Sequence, residues 1–323
     1  MAVGELARGW VKDSPLTYDE EKLKAAPWYY LDPTTGIMQT GWQFLGNRWY
    51  YLHSSGAMAT GWYKEGSTWY YLDATTGIMQ TGWQFLGNRW YYLHSSGAMA
   101  TGWYKEGSTW YYLDAENGDM RTGWQYLGNK WYYLRSSGAM ATGWYQEGST
   151  WYYLNAENGD MRTGWQYLGN KWYYLRSSGA MATGWYKEGS TWYYLDAENG
   201  DMRTGWQYLG NKWYYLHSSG AMATGWYKEG STWYYLDAEN GDMRTGWQYL
   251  GNKWYYLRSS GAMATGWYQE GSTWYYLNAS NGDMKTGWFQ VNGNWYYAYD
   301  SGALAVNTTV GGYYLNYNGE WVK

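Results

Sequence analysis

The sequence predicts an all-β solenoid of stacked β-hairpins. Three observations predict it. A Gly-Trp pair and a Trp-Tyr-Tyr triplet each recur fourteen times, and from Trp42 onward the step alternates between 20 and 21 residues. Self-similarity at such a period marks a repeat architecture. Within each unit, two short aromatic runs flank a dipeptide of hairpin-turn type at one fixed offset. Aromatic residues make up 23% of the chain, only three of them Phe. A core alone would draw on Leu, Ile, Val and Phe, whereas Trp and Tyr suit surfaces that are half buried and half functional.

Residues 1–9 carry no structural signal and read as an N-terminal extension. The start, MAVGELARGW, holds no secretory-type apolar run and reads as that of a mature fragment. A first Gly-Trp strand begins at Gly9-Trp10, but its partner arrives eighteen residues later, at Trp28, where every later unit has a spacing of seven. This is a first hairpin with an inserted loop, 11–27, containing one helical turn around Asp19 to Ala25. A segment of that size is too small to hold a core of its own.

From Trp28 to about Tyr297 the chain is regular. In the unit beginning at Gly123, Trp124 to Leu127 forms one strand, Gly128-Asn129 the turn, and Lys130 to Leu134 the return strand. Gly107-Ser108 and Asn292-Gly293 stand at the same offset in other units. The turn sets Leu127 opposite Lys130, Tyr126 opposite Trp131 and Trp124 opposite Tyr133. Strand side chains alternate, so Trp124, Tyr126, Trp131 and Tyr133 share one face, and Tyr132 and Leu134 the other. The two tryptophans are diagonal neighbours, about 7–8 Å apart at the backbone. Return segments alternate between the RSSGAMATG and DAENGDMRTG types, which makes the larger unit 41 residues. One hairpin is marginal in water, so stacking must supply the stability, with Leu134, Met140 and Tyr132 as the expected packing set. Past Tyr297 the pattern decays, and 298–323 reads as a capping segment, because an array needs closed ends.

Composition excludes several functions. The net charge of −4 provides no basic field for nucleic acid. The absence of cysteine removes thiolate metal sites. No run of about 18 apolar residues is present to span a membrane. His53, His94 and His217 occupy a slot that Arg135, Arg176 and Arg258 fill in sister copies, so they read as solvated loop positions. The run Asp114 to Asp119 faintly resembles a calcium loop. Its counterparts at Asp32 and Asp73 lack the further acids, so it reads as a turn. No non-repeated acidic pair of glycosidase type stands in the array. The aromatics remain: four on one face of a hairpin and one on the other cannot all be buried. Some must line grooves between units, where Trp and Tyr attract cations or stacked sugar rings.

The pattern of Gly-Trp, six residues, Trp-Tyr-Tyr-Leu, then a Gly-x-Met return and Thr-Gly-Trp resembles the choline-binding repeats, the cell-wall-binding repeats of bacterial surface proteins. It covers Gly9 to about Tyr314. The resemblance implies a left-handed superhelix of stacked hairpins. It also implies choline held between consecutive hairpins by two tryptophans of one repeat, a tyrosine of the next and a nearby methionine. Carried onto this chain, Trp42 and Trp49 take Tyr71; Trp62 and Trp69 take Tyr92; Trp83 and Trp90 take Tyr112; Trp103 and Trp110 take Tyr133. Trp124 and Trp131 take Tyr153; Trp144 and Trp151 take Tyr174; Trp165 and Trp172 take Tyr194; Trp185 and Trp192 take Tyr215. Trp206 and Trp213 take Tyr235; Trp226 and Trp233 take Tyr256; Trp247 and Trp254 take Tyr276; Trp267 and Trp274 take Tyr297. The tyrosine two places after each WYY tryptophan is chosen because it lies on the all-aromatic face. The insertion sets Trp10 and Trp28 outside this set, and the altered GGYYL closure does the same for Trp288 and Trp295.

The function implied is non-catalytic anchoring to the cell surface of a secreted protein. The ligand is choline or phosphorylcholine on teichoic and lipoteichoic acids. The resemblance implies no cofactor, no metal, no nucleic acid and no membrane span, and it leaves homodimerisation open. A glucan-binding repeat is the alternative within the same broad class. An enzyme fragment and a passive spacer are the rivals outside it.

Overall fold

The computed structural model describes residues 7–13 and 19–322. Contacts divide the chain into two units, Met1–Arg162 and Thr163–Lys323. Each is a run of two-stranded antiparallel hairpins, seven in the first unit and eight in the second among the described residues. The only helix described is Glu20–Ala25. The chain is thus an all-β solenoid built from tandem hairpins, as its period requires.

The first hairpin forms despite its insertion. Gly9–Lys12 pairs with Trp28–Leu31, with Trp10 opposite Tyr30. The expected helical turn is Glu20–Ala25, with the Asp19 carboxylate accepting from the Glu21 and Lys22 amides. Residues 14–18 of the insertion lie outside the described residues.

Two turn chemistries alternate. Gly128 and Asn129 have φ of 55° and 64°, the doubly positive turn whose twist matches the flanking strands. In Gly107-Ser108 only the glycine is positive, at 59°. Both hold the expected register: Trp124 faces Tyr133 and Tyr126 faces Trp131.

Stacking is built by the return segments. Leu134 bridges to Met140, and the Met140 amide donates to the Trp110 carbonyl of the preceding hairpin at 2.8 Å. Each methionine thioether then lies over a glycine of the next return. A Cβ on Gly138 would sit 2.7 Å from Met120 Cε and 2.9 Å from its Cγ. Bare backbone is therefore what lets consecutive returns close up. The buried spine is one leucine per hairpin, Leu52 through Leu277, each 0% exposed, with Ala141 and its equivalents beside it. Leu134 belongs to this spine as expected. Met140 and Tyr132 are only partly buried, because both border the space between hairpins. Ion pairs add a second tie: buried Asp160 lies 2.9 Å from Lys130 and 3.9 Å from Arg162.

The chain closes on a short hairpin, Thr308–Val310 with Tyr313–Leu315. Leu304 and Trp321 take over the methionine's place in the ladder. Their amides donate to the Trp274 and Trp295 carbonyls, each at 2.8 Å.

Candidate functional site

The stack meets front to back. Trp124, Trp131 and Tyr133 lie on the front of their hairpin, while Tyr145, Tyr152 and Leu154 lie on the back of the next. Trp124 and Trp131 have ring centroids 6.5 Å apart at 81°, forming two walls. Tyr152 stands 4.9 Å from Trp124 at 61°, closing the third. The Met161 amide donates to the Trp131 carbonyl at 2.8 Å, which places that methionine at the floor. Each of these features follows from local chemistry: the tight turn fixes the diagonal pair, and the return delivers the methionine.

The same arrangement recurs within each unit. Trp185, Trp192, Tyr214 and Met222 line one cavity. Trp226, Trp233, Tyr255 and Met263 line another, and Trp247, Trp254, Tyr275 and Met284 a third. In the cavity of Trp267, Trp274 and Tyr296, Leu304 replaces the methionine. In the Gly-Asn hairpins the second tryptophan stays open to solvent, as in Trp131 at 43%, so the notch has a mouth.

The tryptophan pairs come together as the sequence implied, but the tyrosine opposite them is the other one. Tyr70, Tyr91, Tyr111, Tyr132 and Tyr152 approach the preceding Trp42, Trp62, Trp83, Trp103 and Trp124 at 4.8–4.9 Å. In the second unit Tyr193, Tyr214, Tyr234, Tyr255, Tyr275 and Tyr296 approach Trp165, Trp185, Trp206, Trp226, Trp247 and Trp267 in the same way. The expected Tyr71, Tyr112, Tyr153, Tyr194, Tyr235, Tyr276 and Tyr297 instead pack on the first tryptophan of their own hairpin, at 4.9–5.3 Å. Tyr92, Tyr133, Tyr174, Tyr215 and Tyr256 do so too, and each also stacks at 3.9 Å on a back-face tyrosine of the following hairpin. The reason is directional. A front-face residue looks toward the next hairpin, so only a back-face residue can reach the preceding one.

Trp10, set aside because of the insertion, also meets a back-face tyrosine: Tyr50 is 4.8 Å away. At the far end, Trp288 meets Tyr313 at 5.6 Å. Pairing survives the insertion because the loop leaves between the strands without altering their register. Within its own hairpin the Trp144–Trp151 pair stands 6.3 Å apart.

Polar groups around the cavities were missed by the sequence reading. The Trp124 indole Nε1 donates to Glu147 Oε2 of the next hairpin at 3.1 Å, and Trp42, Trp83, Trp165, Trp206 and Trp247 bond Glu65, Glu106, Glu188, Glu229 and Glu270 alike. These glutamates sit on the back face beside the wall tyrosine. In the alternate hairpins Lys64, Lys105, Lys187 and Lys228 place their ammonium groups 5.3–5.5 Å from the second tryptophan's centroid. The signal was the 41-residue alternation itself, which swaps Tyr-Leu for Lys-Glu at the strand end.

The Asp114 carboxylate accepts from the Glu116 and Asn117 amides and from Arg121 at 2.6 Å. The Arg121 hydrogen bond first, and these amides after it, hold its pKa down at about 2. Burial raises the Tyr63 hydroxyl above its ordinary range, helped by a hydrogen bond with Tyr51. His53 is exposed, its ring edge-on to Tyr51 and Tyr63 at 5.8 and 6.1 Å.

Comparison with known proteins agrees with this geometry. The family model described as the choline-binding repeat matches residues 39–81, 80–122, 121–163, 162–204, 203–245 and 244–289. The chain belongs to the choline-binding repeat family. A second model, the putative cell wall binding repeat, matches residues 286–304. Among solved structures, CbpJ from Streptococcus pneumoniae TIGR4 is 49% identical, with 87% of this chain and 100% of that one covered and a TM-score of 0.57. CbpF in complex with ipratropium is 42% identical over 88% of this chain and 100% of its own, with a TM-score of 0.41. The choline binding domain of Spr1274 in Streptococcus pneumoniae is 56% identical over 25% of this chain and 96% of its own, with a TM-score of 0.24. No curated protein sequence matches the chain. Choline-binding repeats are binding modules, and this chain is an array of them.

Proposed function

We propose that the array anchors its protein to the bacterial cell wall by binding the phosphorylcholine of teichoic and lipoteichoic acids, without catalysis. The observation that carries this is the repeated notch. Two near-perpendicular tryptophans, a tyrosine from the next hairpin and a methionine surround a space open at one side. Such walls are apolar enough to desolvate a trimethylammonium group, and the ring faces are electron-rich enough to attract it. Membership in the choline-binding repeat family and the likeness to CbpJ support the same reading.

Each ring contact contributes about 0.5–2 kcal/mol, so single notches hold choline weakly. Avidity comes from many notches meeting one decorated surface, which raises effective concentration. In this reading residues 9–314 carry the ligand sites, 298–323 close the array, and the protein works outside the cell. The test is retention on a tertiary-amine resin and elution by free choline. Elution by choline but not by glucose oligomers is expected. A folded chain that flows through the resin contradicts the reading.

A further inference from the structure

The cages are of two electrostatic kinds, and they alternate. Where the tryptophan pair belongs to a Gly-Asn hairpin, the next hairpin brings a glutamate onto the first indole. Glu270 Oε2 is 3.1 Å from Trp247 Nε1, and Glu270 lines that cavity together with Asp300. No lysine lines it. Where the pair belongs to a Gly-Ser hairpin, no such carboxylate bond reaches Trp62, Trp103, Trp185 or Trp226 among the described residues. There a lysine on the first tryptophan's strand, directly across from the second tryptophan, lies over its ring, Lys187 being 5.4 Å from the Trp192 centroid. Lys187 and Lys228 stand beside the second tryptophan, outside the cavity linings: the Trp185–Trp192 cavity is lined by Lys212, itself 3.2 Å from Asp242, and by Glu239, and the Trp226–Trp233 cavity by Ser280 and Asn281 with no charged side chain. Gln146 and Gln269 replace the lysine in two sister hairpins.

Charge decides what such cages prefer. A carboxylate fixed at the wall adds Coulomb attraction for a quaternary ammonium and opposes a phosphate. An ammonium beside the wall does the reverse, and it draws on the same ring quadrupole that would hold the ligand. We infer that glutamate cages hold choline tightly, whereas lysine cages hold it weakly and favour its phosphorylated form. Glu65, Glu106, Glu147, Glu188, Glu229 and Glu270 are then specificity residues of the first class. Lys64, Lys105, Lys187 and Lys228 are those of the second. This inference rests on the choline reading above.

The experiment is calorimetric titration of the full chain with choline and, separately, with phosphorylcholine. Two variants accompany the parent. One carries Glu→Gln at all six glutamates, which keeps a hydrogen-bond acceptor for the indole. The other carries Lys→Gln at all four lysines, copying Gln146 and Gln269. The parent should give two phases with choline. The glutamate variant should lose the tight phase, its sites weakening roughly tenfold. The lysine variant should gain choline affinity at four sites, and its preference for phosphorylcholine over choline should fall several-fold. If the glutamate variant does not fold, the lysine variant alone decides the matter. A single choline phase that the Lys→Gln changes leave unmoved overturns the two-class inference while leaving choline binding intact. No choline heat from the folded parent overturns the choline reading itself.

Discussion

Replacing Gly138 with alanine tests how the returns are held together. Gly138 has φ of 82°, and an added Cβ would stand 2.7 Å from Met120 Cε. Gly143, five residues on, has φ of 73° and nothing within 4 Å of its Cβ position. Both substitutions force an L-residue into left-handed backbone, costing about 1–2 kcal/mol. Only Gly138→Ala also overpacks the methionine, adding roughly 1–3 kcal/mol. The conformational terms cancel in the comparison, so the difference between the two variants measures the Met120 contact. A repeat array need not unfold in one step, so a melting profile does not report where along the array it opens. Hydrogen exchange of peptides spanning 114–145 reports local opening free energy directly. Gly138→Ala should raise exchange there beyond Gly143→Ala. Adding Met120→Ala should relieve the excess, giving a coupling energy in a double-mutant cycle. Equal exchange in the two glycine variants, or no relief by Met120→Ala, refutes the packing argument.

Further outcomes follow from the same geometry. Tyr→Ala at the back-face set Tyr193, Tyr214, Tyr234, Tyr255, Tyr275 and Tyr296 should weaken choline binding in calorimetry by about 0.5–2 kcal/mol per site. The matching change at front-face Tyr194 and Tyr215 should chiefly reduce stability, read as faster hydrogen exchange. Leu216→Ala empties a fully buried position and should cost about 2–5 kcal/mol of local stability by the same exchange measurement. Arg at His53, His94 and His217 should leave resin retention unchanged. Asp114, Asp196 and Asp237 have pKa values lowered to about 2. Their stabilisation is present above the ordinary Asp value near ~3.9 and lost as pH falls from there toward 2. The melting profile should therefore be flat in pH above 5 and drop below 4, with a smaller drop in the triple Asp→Asn variant.

Much of this was legible in the sequence because each signal was local. The turn dipeptides fixed the register, and the register fixed which side chains share a face: Trp124 did prove to lie opposite Tyr133. What the sequence did not disclose was direction. Alternation shows that Tyr193 and Tyr194 point opposite ways, but the path of the return decides which of them meets the preceding hairpin. Stacking like units front to back allows only the back-face residue to reach backward, and that requirement selects Tyr193. The long spacing from Trp10 to Trp28 concealed an intact pairing, since strand partners ignore what loops out between them. Glu147 looked like a strand-end charge, and only the fold brought it 3.1 Å from an indole 23 residues earlier.

The central claim is that choline occupies the space between consecutive hairpins. A crystal structure of the chain soaked with choline tests it most directly. Density for a trimethylammonium group is expected among Trp185, Trp192, Tyr214 and Met222, and in the equivalent notches along each unit. Notches left without ligand density at saturating choline, or choline found only on other surfaces, would contradict it.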